Sequence, residues 1–268
     1  MTAPRMTLRG LAERKHTGGR IVMLTCYDAL YARLLDQAGV DVLLVGDSLN
    51  QVLAGRNSTL SATLDQMIYH AASVRRGTGR LPVVIDLPFL TYQVSVEEAI
   101  RNAGRAMAET DCDGVKLEGG AEMAPTVLAL VERGIPVIGH LGFTPQSVHA
   151  LGGYRVQGRG TDAAARMLDD ARALEQAGAS AIVIEMVPRD TARTITEAIG
   201  IPTIGIGAGV HCDGQVLVLH DMLGLNEGFS PRFLKRFGEL GAATREAVQR
   251  YAAEVRDGSW PGDEHSFE

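Results

Sequence analysis

Short β-branched apolar runs alternate along the chain with amphipathic segments of helical period, which is the pattern of strands buried on both faces between surface helices. The predicted strands are Ile21–Thr25, Asp41–Val45, Pro82–Ile85, Gly114–Leu117, Pro136–Gly139, Ala181–Ile184, Pro202–Ile206 and Gln215–Leu219. The predicted helices are Ala29–Ala38, Leu64–Arg76, Val96–Glu109, Met123–Arg133, Ala163–Ala177 and Thr191–Ile199, with a last helix over Arg232–Val255.

One unit recurs, in which a helical segment ends at Gly and leads into the next apolar run, as in QAGVDVLLV (37–45) and EQAGASAIVI (175–184). Gly supplies the left-handed residue that closes a helix. Eight alternating β and α units predict an α/β fold of the (β/α)8 TIM-barrel type. We expect a single domain over 1–268, with an N-terminal extension (1–19) and a C-terminal tail (256–268). An open, doubly wound sheet is the alternative.

Composition excludes some partners and compartments. A net charge of −6, without a basic stripe, argues against nucleic acid or an anionic membrane as the main partner. The chain has no apolar run long enough to span a bilayer and no secretory signal at its start. Cys26, Cys112 and Cys212 form no C-x-x-C pair, so we expect a reducing compartment and interpret them as small apolar fillers.

An ionisable side chain follows each of five successive predicted strands: Asp47, Asp86, Glu118, His140 and Glu185. In a barrel the carboxyl ends of all strands lie on one face, where catalytic groups gather. Asp commonly ends strands as a turn former, which could account for either Asp taken singly. Glu and His are not turn residues, so the pattern indicates an active site.

The acids Asp47, Asp86 and Glu118 predict a metal site. Neighbouring carboxylates repel one another and raise each other's pKa, and a bound cation removes this cost. Oxygen ligands without Cys or paired His suit Mg²⁺, or Mn²⁺ or Co²⁺. A 2-oxo acid could chelate such an ion, which would polarise the keto oxygen and stabilise an enolate. Mg²⁺ can reach Glu118 directly or through water.

Lys116 lies on the same strand face as Glu118, since the period of a strand is two. It could balance charge or hold a substrate carboxylate; a Schiff-base lysine and a structural ion pair are the alternatives. His140 is a candidate site residue, or else a core histidine satisfied by backbone groups. Glu185, apart from the three acids, is the candidate general base. The GIGAG run (205–209) lacks the GxGxxG spacing of a phosphate loop, and we interpret it as close backbone packing.

Two connections are long for loops that follow strands. One runs from Asp47 to about Thr63 and the other from Leu141 to about Thr161. Long structured loops in compact folds tend to be functional lids.

Several motifs carry a family resemblance. The segments TCYDALYARLLDQAG, LLVGDSLN, DLPF, VKLEGG, PVIGHLGFTPQSVHALGGYRVQG, IVIEMVP, IGIGAG, DGQVLVLHDMLG and PGDEHSF occur in order from about residue 20 to the C-terminus. The sequence resembles the ketopantoate hydroxymethyltransferase family, and VKLEGG, GHLGFTPQ and GDSL are specific in combination.

The resemblance implies transfer of a hydroxymethyl group from 5,10-methylenetetrahydrofolate to 3-methyl-2-oxobutanoate, giving 2-dehydropantoate for pantothenate synthesis. It implies a Mg²⁺-dependent, cytoplasmic barrel that is commonly a homodecamer. The implied metal-site acids are Asp47, Asp86 and Glu118. The implied proton acceptor is Glu185, and the positions implied to contact substrate are Asp47, Ser48, Asp86, Lys116 and His140.

This chain departs from the usual family pattern at Asn50, Arg56, Asn57 and Ala62, all in the loop after the second strand. Two alternatives stay open, the first because it would share the metal-site acids and the second because of this altered loop. One is a metal-dependent lyase or aldolase that acts on 2-oxo acids without folate. The other is a non-catalytic binding or assembly protein that has kept the barrel.

Overall fold

Eight parallel strands close into a barrel in the computed structural model, which describes residues 6–268. Neighbours in the barrel are consecutive in the chain, and β1 pairs with β8 through the Ile21–Gly214 register to complete the ring. The predicted TIM barrel is confirmed. The strands are β1 (Ile21–Thr25), β2 (Val42–Val45), β3 (Val83–Asp86), β4 (Gly114–Lys116), β5 (Val137–Gly142), β6 (Ala181–Glu185), β7 (Thr203–Ile206) and β8 (Gly214–Leu217).

Helices follow most strands, and polar caps fix several of their starts. The Asp28 carboxylate accepts from Leu30 N and Tyr31 N, and Thr63 forms a reciprocal capping box with Gln66. The helices are α1 (Gly10–Thr17), α2 (Ala29–Gln37), α3 (Leu49–Val52), α4 (Leu64–Gly77), α5 (Val96–Thr110), α6 (Ala124–Val131), α7 (Thr161–Gln176), α8 (Arg189–Ala198), α9 (Leu219–Met222) and α10 (Leu240–Asp257). None of the helices in residues 6–268 is long and apolar enough to cross a membrane.

Several predicted boundaries were wrong, and two of them lie in the C-terminal part of the chain. Strand β8 ends at Leu217, and Leu219 instead begins α9. The last helix begins at Leu240 rather than Arg232, because the N–H of Phe237 donates to the carbonyl of Met222 and is not available to a helical ladder.

The predicted N-terminal extension contains a helix that packs on the barrel; its residues 1–5 lie outside the described residues. The side chains of Leu8 and Leu11 are buried in one cluster with Ile21, Val42 and Ala181. Since Ile21, Val42 and Ala181 begin their strands, this cluster lies at the amino ends of the barrel strands. The segment covers the end of the barrel opposite to the strand carboxyl ends.

Ion pairs hold α1 in place. Lys15 Nζ donates to the carbonyls of Thr196 and Ile201 and lies 3.1 Å from Asp213 Oδ2. Arg14 Nη2 lies 2.7 Å from Asp41 Oδ1. These bonds tie the segment to loops at the amino ends of β2, β7 and β8.

The chain divides into two compact units, one ending at Val218 and one of Leu219–Glu268. The first contains the whole barrel, and the second contains α9 and α10. A single domain over 1–268 stays a prediction.

Replacing Leu11 with Ala should lower the free energy of unfolding by about 2–4 kcal/mol, because the change leaves a cavity between α1 and the barrel strands. Urea denaturation measures the effect. Leu30→Ala is the matched control: its side chain is 64% exposed, so we expect a change within about 0.5 kcal/mol. Equal effects of the two substitutions would show that α1 does not contribute to the core.

Candidate active site

Three buried acids converge at the carboxyl ends of β2, β3 and β4. The exposures of Asp47, Asp86 and Glu118 are only 4%, 3% and 6%. Asp86 ends β3, whereas Asp47 and Glu118 each lie two residues beyond their strands. The backbone N–H of Asp47 donates to Asp86 Oδ2 at 3.1 Å, which links two of the acids directly.

Lys116 places a positive charge beside these acids. It ends β4 directly opposite Asp86 in the ladder, and its Nζ lies 2.7 Å from Asp86 Oδ1. Burial alone would lower the pKa of Lys116, but the carboxylates of Asp86, Glu118 and Asp47 outweigh burial and raise it above its usual value. The amine is therefore held as an ammonium, which favours a charge-pairing role over the Schiff-base alternative.

The acids are short of compensating charge. Burial, then the charges of Asp86 and Glu118, raise the pKa of Asp47 to about 8. Burial, with a further contribution from Asp86, raises the pKa of Glu118 to about 7 although Lys116 opposes the shift. A single ammonium does not neutralise the cluster, so the site favours a proton or a further cation.

His140 connects Lys116 with Glu185. Burial and the nearby ammonium of Lys116 lower the pKa of His140, so the ring is neutral at neutral pH. Its Nδ1 lies 3.2 Å from Lys116 Nζ and accepts from the ammonium, which leaves the ring proton on Nε2. That nitrogen lies 3.2 Å from Glu185 Oε2. The ring thus contacts site side chains rather than backbone groups.

Strand register explains this contact. Strand β5 continues to Gly142, so His140 lies inside the strand rather than just after it. Glu185, the last residue of β6, is paired with Gly142 across the ladder. Both side chains are therefore fixed by the two strands that carry them.

Ser48 lies beside the acids, and Tyr27 orients it. The hydroxyl oxygens of the two residues are 2.9 Å apart. Gly46 allows this close approach, because a Cβ at that position would lie 2.9 Å from Ser48 Oγ and 3.5 Å from Asp86 Oδ2. Sequence reasoning quoted Tyr27 within a motif but gave it no role.

Gln146 was missed by sequence reasoning, although it contacts two of the three acids. Its Nε2 donates to Asp47 Oδ2 at 2.9 Å and to the carbonyl of Leu87 at 3.0 Å. Its backbone N–H donates to Glu118 Oε2 at 3.0 Å. One loop residue after β5 therefore ties together the ends of β2, β3 and β4.

The side-chain amide of Gln146 has one possible orientation. The Tyr92 hydroxyl accepts from the backbone N–H of Glu118, so its own proton is free to go to Gln146 Oε1 at 2.7 Å. Gln93 Nε2 also donates to Oε1. Since the carbonyl of Leu87 can only accept, Nε2 must face both Leu87 and Asp47. The amide thus presents a fixed donor to Asp47.

Asn50, one of the departures from the family pattern, has a structural role. It is buried, and its Nδ2 donates to the carbonyl of Ser58 at 2.8 Å and to Ser61 Oγ at 2.9 Å. Its own carbonyl accepts from Arg56 N. Asn50 therefore closes the loop after β2 on itself.

The remaining sequence features have packing explanations. A Cβ at Gly209 would lie 2.7 Å from Arg189 Cβ, and one at Gly205 would lie 3.1 Å from Cys212 Sγ. Close packing thus accounts for the GIGAG run. All three cysteines are buried and free, as expected of small apolar fillers.

The donors at this site suit a hard divalent cation. Within residues 6–268, no three His, Cys, Asp or Glu side chains are arranged closely enough to hold a metal ion together. Asp47 and Asp86 are the adjacent pair, while Glu118 also receives the N–H of Gln146. Mg²⁺ is commonly bound through one or two carboxylates with several waters, so the buried and undercompensated pair fits it. Glu118 would then contribute through water.

The fold is shared with solved structures. The crystal structure of phosphonopyruvate hydrolase in complex with oxalate and Mg++ superposes with a TM-score of 0.63 at 14% identity, covering 98% of this chain and 92% of that chain. That of 2,3-dimethylmalate lyase, a PEP mutase/isocitrate lyase superfamily member, gives 0.61 at 18% identity, covering 98% and 93%. The chain thus shares its barrel fold with these two enzymes.

Sequence comparison identifies the family to which the chain belongs. A family model described as ketopantoate hydroxymethyltransferase matches residues 5–263. A 3-methyl-2-oxobutanoate hydroxymethyltransferase of Anaeromyxobacter dehalogenans is 54% identical, covering 99% of this chain and 89% of that protein. One of Prosthecochloris aestuarii is 53% identical, covering 98% and 97%. The chain belongs to the ketopantoate hydroxymethyltransferase family.

Replacing Gln146 with Met should lower the free energy of unfolding by about 1–3 kcal/mol, because it leaves Asp47 Oδ2 and the Leu87 carbonyl buried without their donor. Urea denaturation measures this. In the control, Gln93→Met, Gln146 Oε1 keeps the Tyr92 hydroxyl, so we expect a loss below about 1 kcal/mol. If Gln93→Met lowered the free energy of unfolding as much as Gln146→Met, the amide of Gln146 would not be what anchors the acids.

Proposed function

We propose that this chain transfers a hydroxymethyl group from 5,10-methylenetetrahydrofolate to 3-methyl-2-oxobutanoate, forming 2-dehydropantoate in pantothenate synthesis. The buried cluster of Asp47, Asp86 and Glu118 beside the ammonium of Lys116 carries the proposal, since it provides both a cation site and a fixed positive charge for a 2-oxo acid. Relatives more than half identical over nearly the whole chain bear the corresponding name.

Substrate binding follows from the charges. The carboxylate and keto oxygens of a 2-oxo acid would lie against the Lys116 ammonium and the Ser48 hydroxyl, with His140 beside them. The acids Asp47 and Asp86, with Glu118 through water, would hold Mg²⁺ or a similar cation. When bound, this cation supplies Lewis-acid polarisation of the keto group. The oxalate and Mg++ in the phosphonopyruvate hydrolase complex are consistent with this arrangement.

Glu185 is the proposed base. It removes the proton from C3 of the substrate, and the electron pair of that C–H bond forms the enolate. His140 lies beside the base, with its Nε2 3.2 Å from Glu185 Oε2.

Carbon–carbon bond formation completes the transfer. The enolate C3 attacks the methylene carbon of the folate in its iminium form. The bond from that carbon to the folate nitrogen then breaks as water adds its hydroxyl group to the carbon. The remaining water proton goes to the released nitrogen and the proton removed from C3 goes to the other folate nitrogen, so that tetrahydrofolate leaves. The enzyme must therefore bring the two substrates together on the face that carries the acids.

Two further properties are proposed from the family alone. We expect a homodecamer, and we expect the protein to work in the cytoplasm. The lyase and binding-protein alternatives are not favoured, because the relatives at more than 50% identity are named hydroxymethyltransferases.

A product assay tests the function. Incubated with 3-methyl-2-oxobutanoate, the protein should form 2-dehydropantoate only when both methylenetetrahydrofolate and Mg²⁺ are present, and EDTA should stop the reaction. Mass spectrometry of the product provides the measurement. Cleavage of a 2-oxo acid without folate would support the lyase alternative, and bound substrate without turnover would support the binding protein.

The role of Glu185 can be tested without folate. In deuterated water, Glu185→Gln should lower the rate of C3–H exchange in 3-methyl-2-oxobutanoate by at least about 100-fold, because the amide cannot accept the proton. NMR follows the exchange. Mg²⁺ affinity, measured by calorimetry in the same variant, should stay within about twofold, because Glu185 is separate from the acids. Exchange at the wild-type rate would remove Glu185 from this role.

A further inference from the structure

A cleft of about 310 Å³ opens between the loop after β2 and the loop after β5. The first loop contributes residues 57–59, and the second contributes Pro145, Val148, His149 and Tyr154. Both loops leave the carboxyl ends of their strands, on the face of the barrel where the acids lie.

Two consecutive residues connect the cleft to the acids. Pro145 lines the cleft and immediately precedes Gln146, whose amide donates to Asp47 and whose N–H donates to Glu118. A ligand seated in the cleft would therefore lie next to the residue that orders the reaction centre.

Thr59 lines this cleft, and its buried hydroxyl is not used by the protein. The residue is only 3% exposed, and among residues 6–268 its Oγ1 has no hydrogen-bond partner. A buried hydroxyl without a partner costs stability, so its retention here points to a partner supplied by a ligand. The hydroxyl can either donate or accept.

The other walls suit a flat, uncharged ring. Tyr154 packs against Phe143 with ring centroids 4.9 Å apart, and its hydroxyl lies 3.3 Å from Gln51 Nε2. Pro145 and Val148 add apolar surface, and the lining contains no Asp, Glu, Lys or Arg. Such walls pack on the faces of an aromatic ring while a few polar groups select its edge.

Hydrogen bonds hold the wall of the cleft that the loop after β2 forms. Asn50, fully enclosed, donates to the carbonyl of Ser58, which lies between Asn57 and Thr59 in the cleft lining. A second donation, to Ser61 Oγ, holds the other side of the same loop. The position of Thr59 is therefore fixed before any ligand arrives.

We propose that this cleft binds the reduced pterin of the folate cosubstrate, whose pyrimidinone half is planar, with the Thr59 hydroxyl bonded to the edge of that half. The proposal rests on the proposed function, and it assigns the cosubstrate a place. The volume accepts one ring system, so the rest of the folate extends into solvent. The one-carbon unit attached to the ring is then held next to the acids.

Thr59→Val tests the assignment, because valine keeps the shape and removes the hydroxyl. The dissociation constant for tetrahydrofolate, measured by calorimetry, should rise by about 3- to 10-fold, and the KM for methylenetetrahydrofolate should rise with it. The melting temperature should stay the same or increase, since the hydroxyl has no protein partner. Tyr154→Ala should weaken tetrahydrofolate binding as well.

Thr194→Val is the matched control, since Thr194 is exposed on α8 and its hydroxyl bonds only within that helix. It should leave the tetrahydrofolate affinity unchanged. Unchanged affinity in both Thr59→Val and Tyr154→Ala overturns the cleft assignment, while product formation by the wild type would still support the proposed function. A wild-type protein that binds tetrahydrofolate through Thr59 but forms no product overturns the proposed function instead.

Discussion

The burial of three carboxylates beside one ammonium is the constraint on which the site depends. Taking Asp47, Asp86 and Glu118 out of water is expensive, and Lys116 offsets only part of the repulsion among them. Such an arrangement persists only if rigid neighbours hold every member in place. A closed parallel barrel meets this need, because its strand ends lie in a ring whose spacing is set by backbone hydrogen bonds.

The strand register sets where the charged side chains of the site lie. Asp86 lies opposite Lys116 across one ladder, which makes the ion pair a property of adjacent strands rather than of flexible side chains. On the far side, His140 separates the ammonium from Glu185 by one neutral ring. The ammonium and the proposed base therefore lie on different strands.

Many of the site residues could be predicted, because the end of an apolar run can be recognised from the sequence alone. Asp47, Asp86 and Glu185 follow apolar runs directly, and Lys116 shares a face with Glu118. Gln146 and Tyr92 could not be found in this way, since they lie in loops without periodicity and act through tertiary hydrogen bonds. Helix α1 was missed because Leu8 and Leu11 alone make too weak a pattern, and their burial depends on the completed barrel.

Closure of the barrel through β1 and β8 has a consequence for how the protein is made. Ile21 pairs with Gly214, so the ring joins segments that leave the ribosome far apart in time. Until β8 has emerged, β1 and β7 present unpaired strand edges, which are templates for association with other chains. Contacts of such long range also slow folding. The barrel of the nascent chain therefore stays open until its last strand, Gly214–Leu217, has been synthesised.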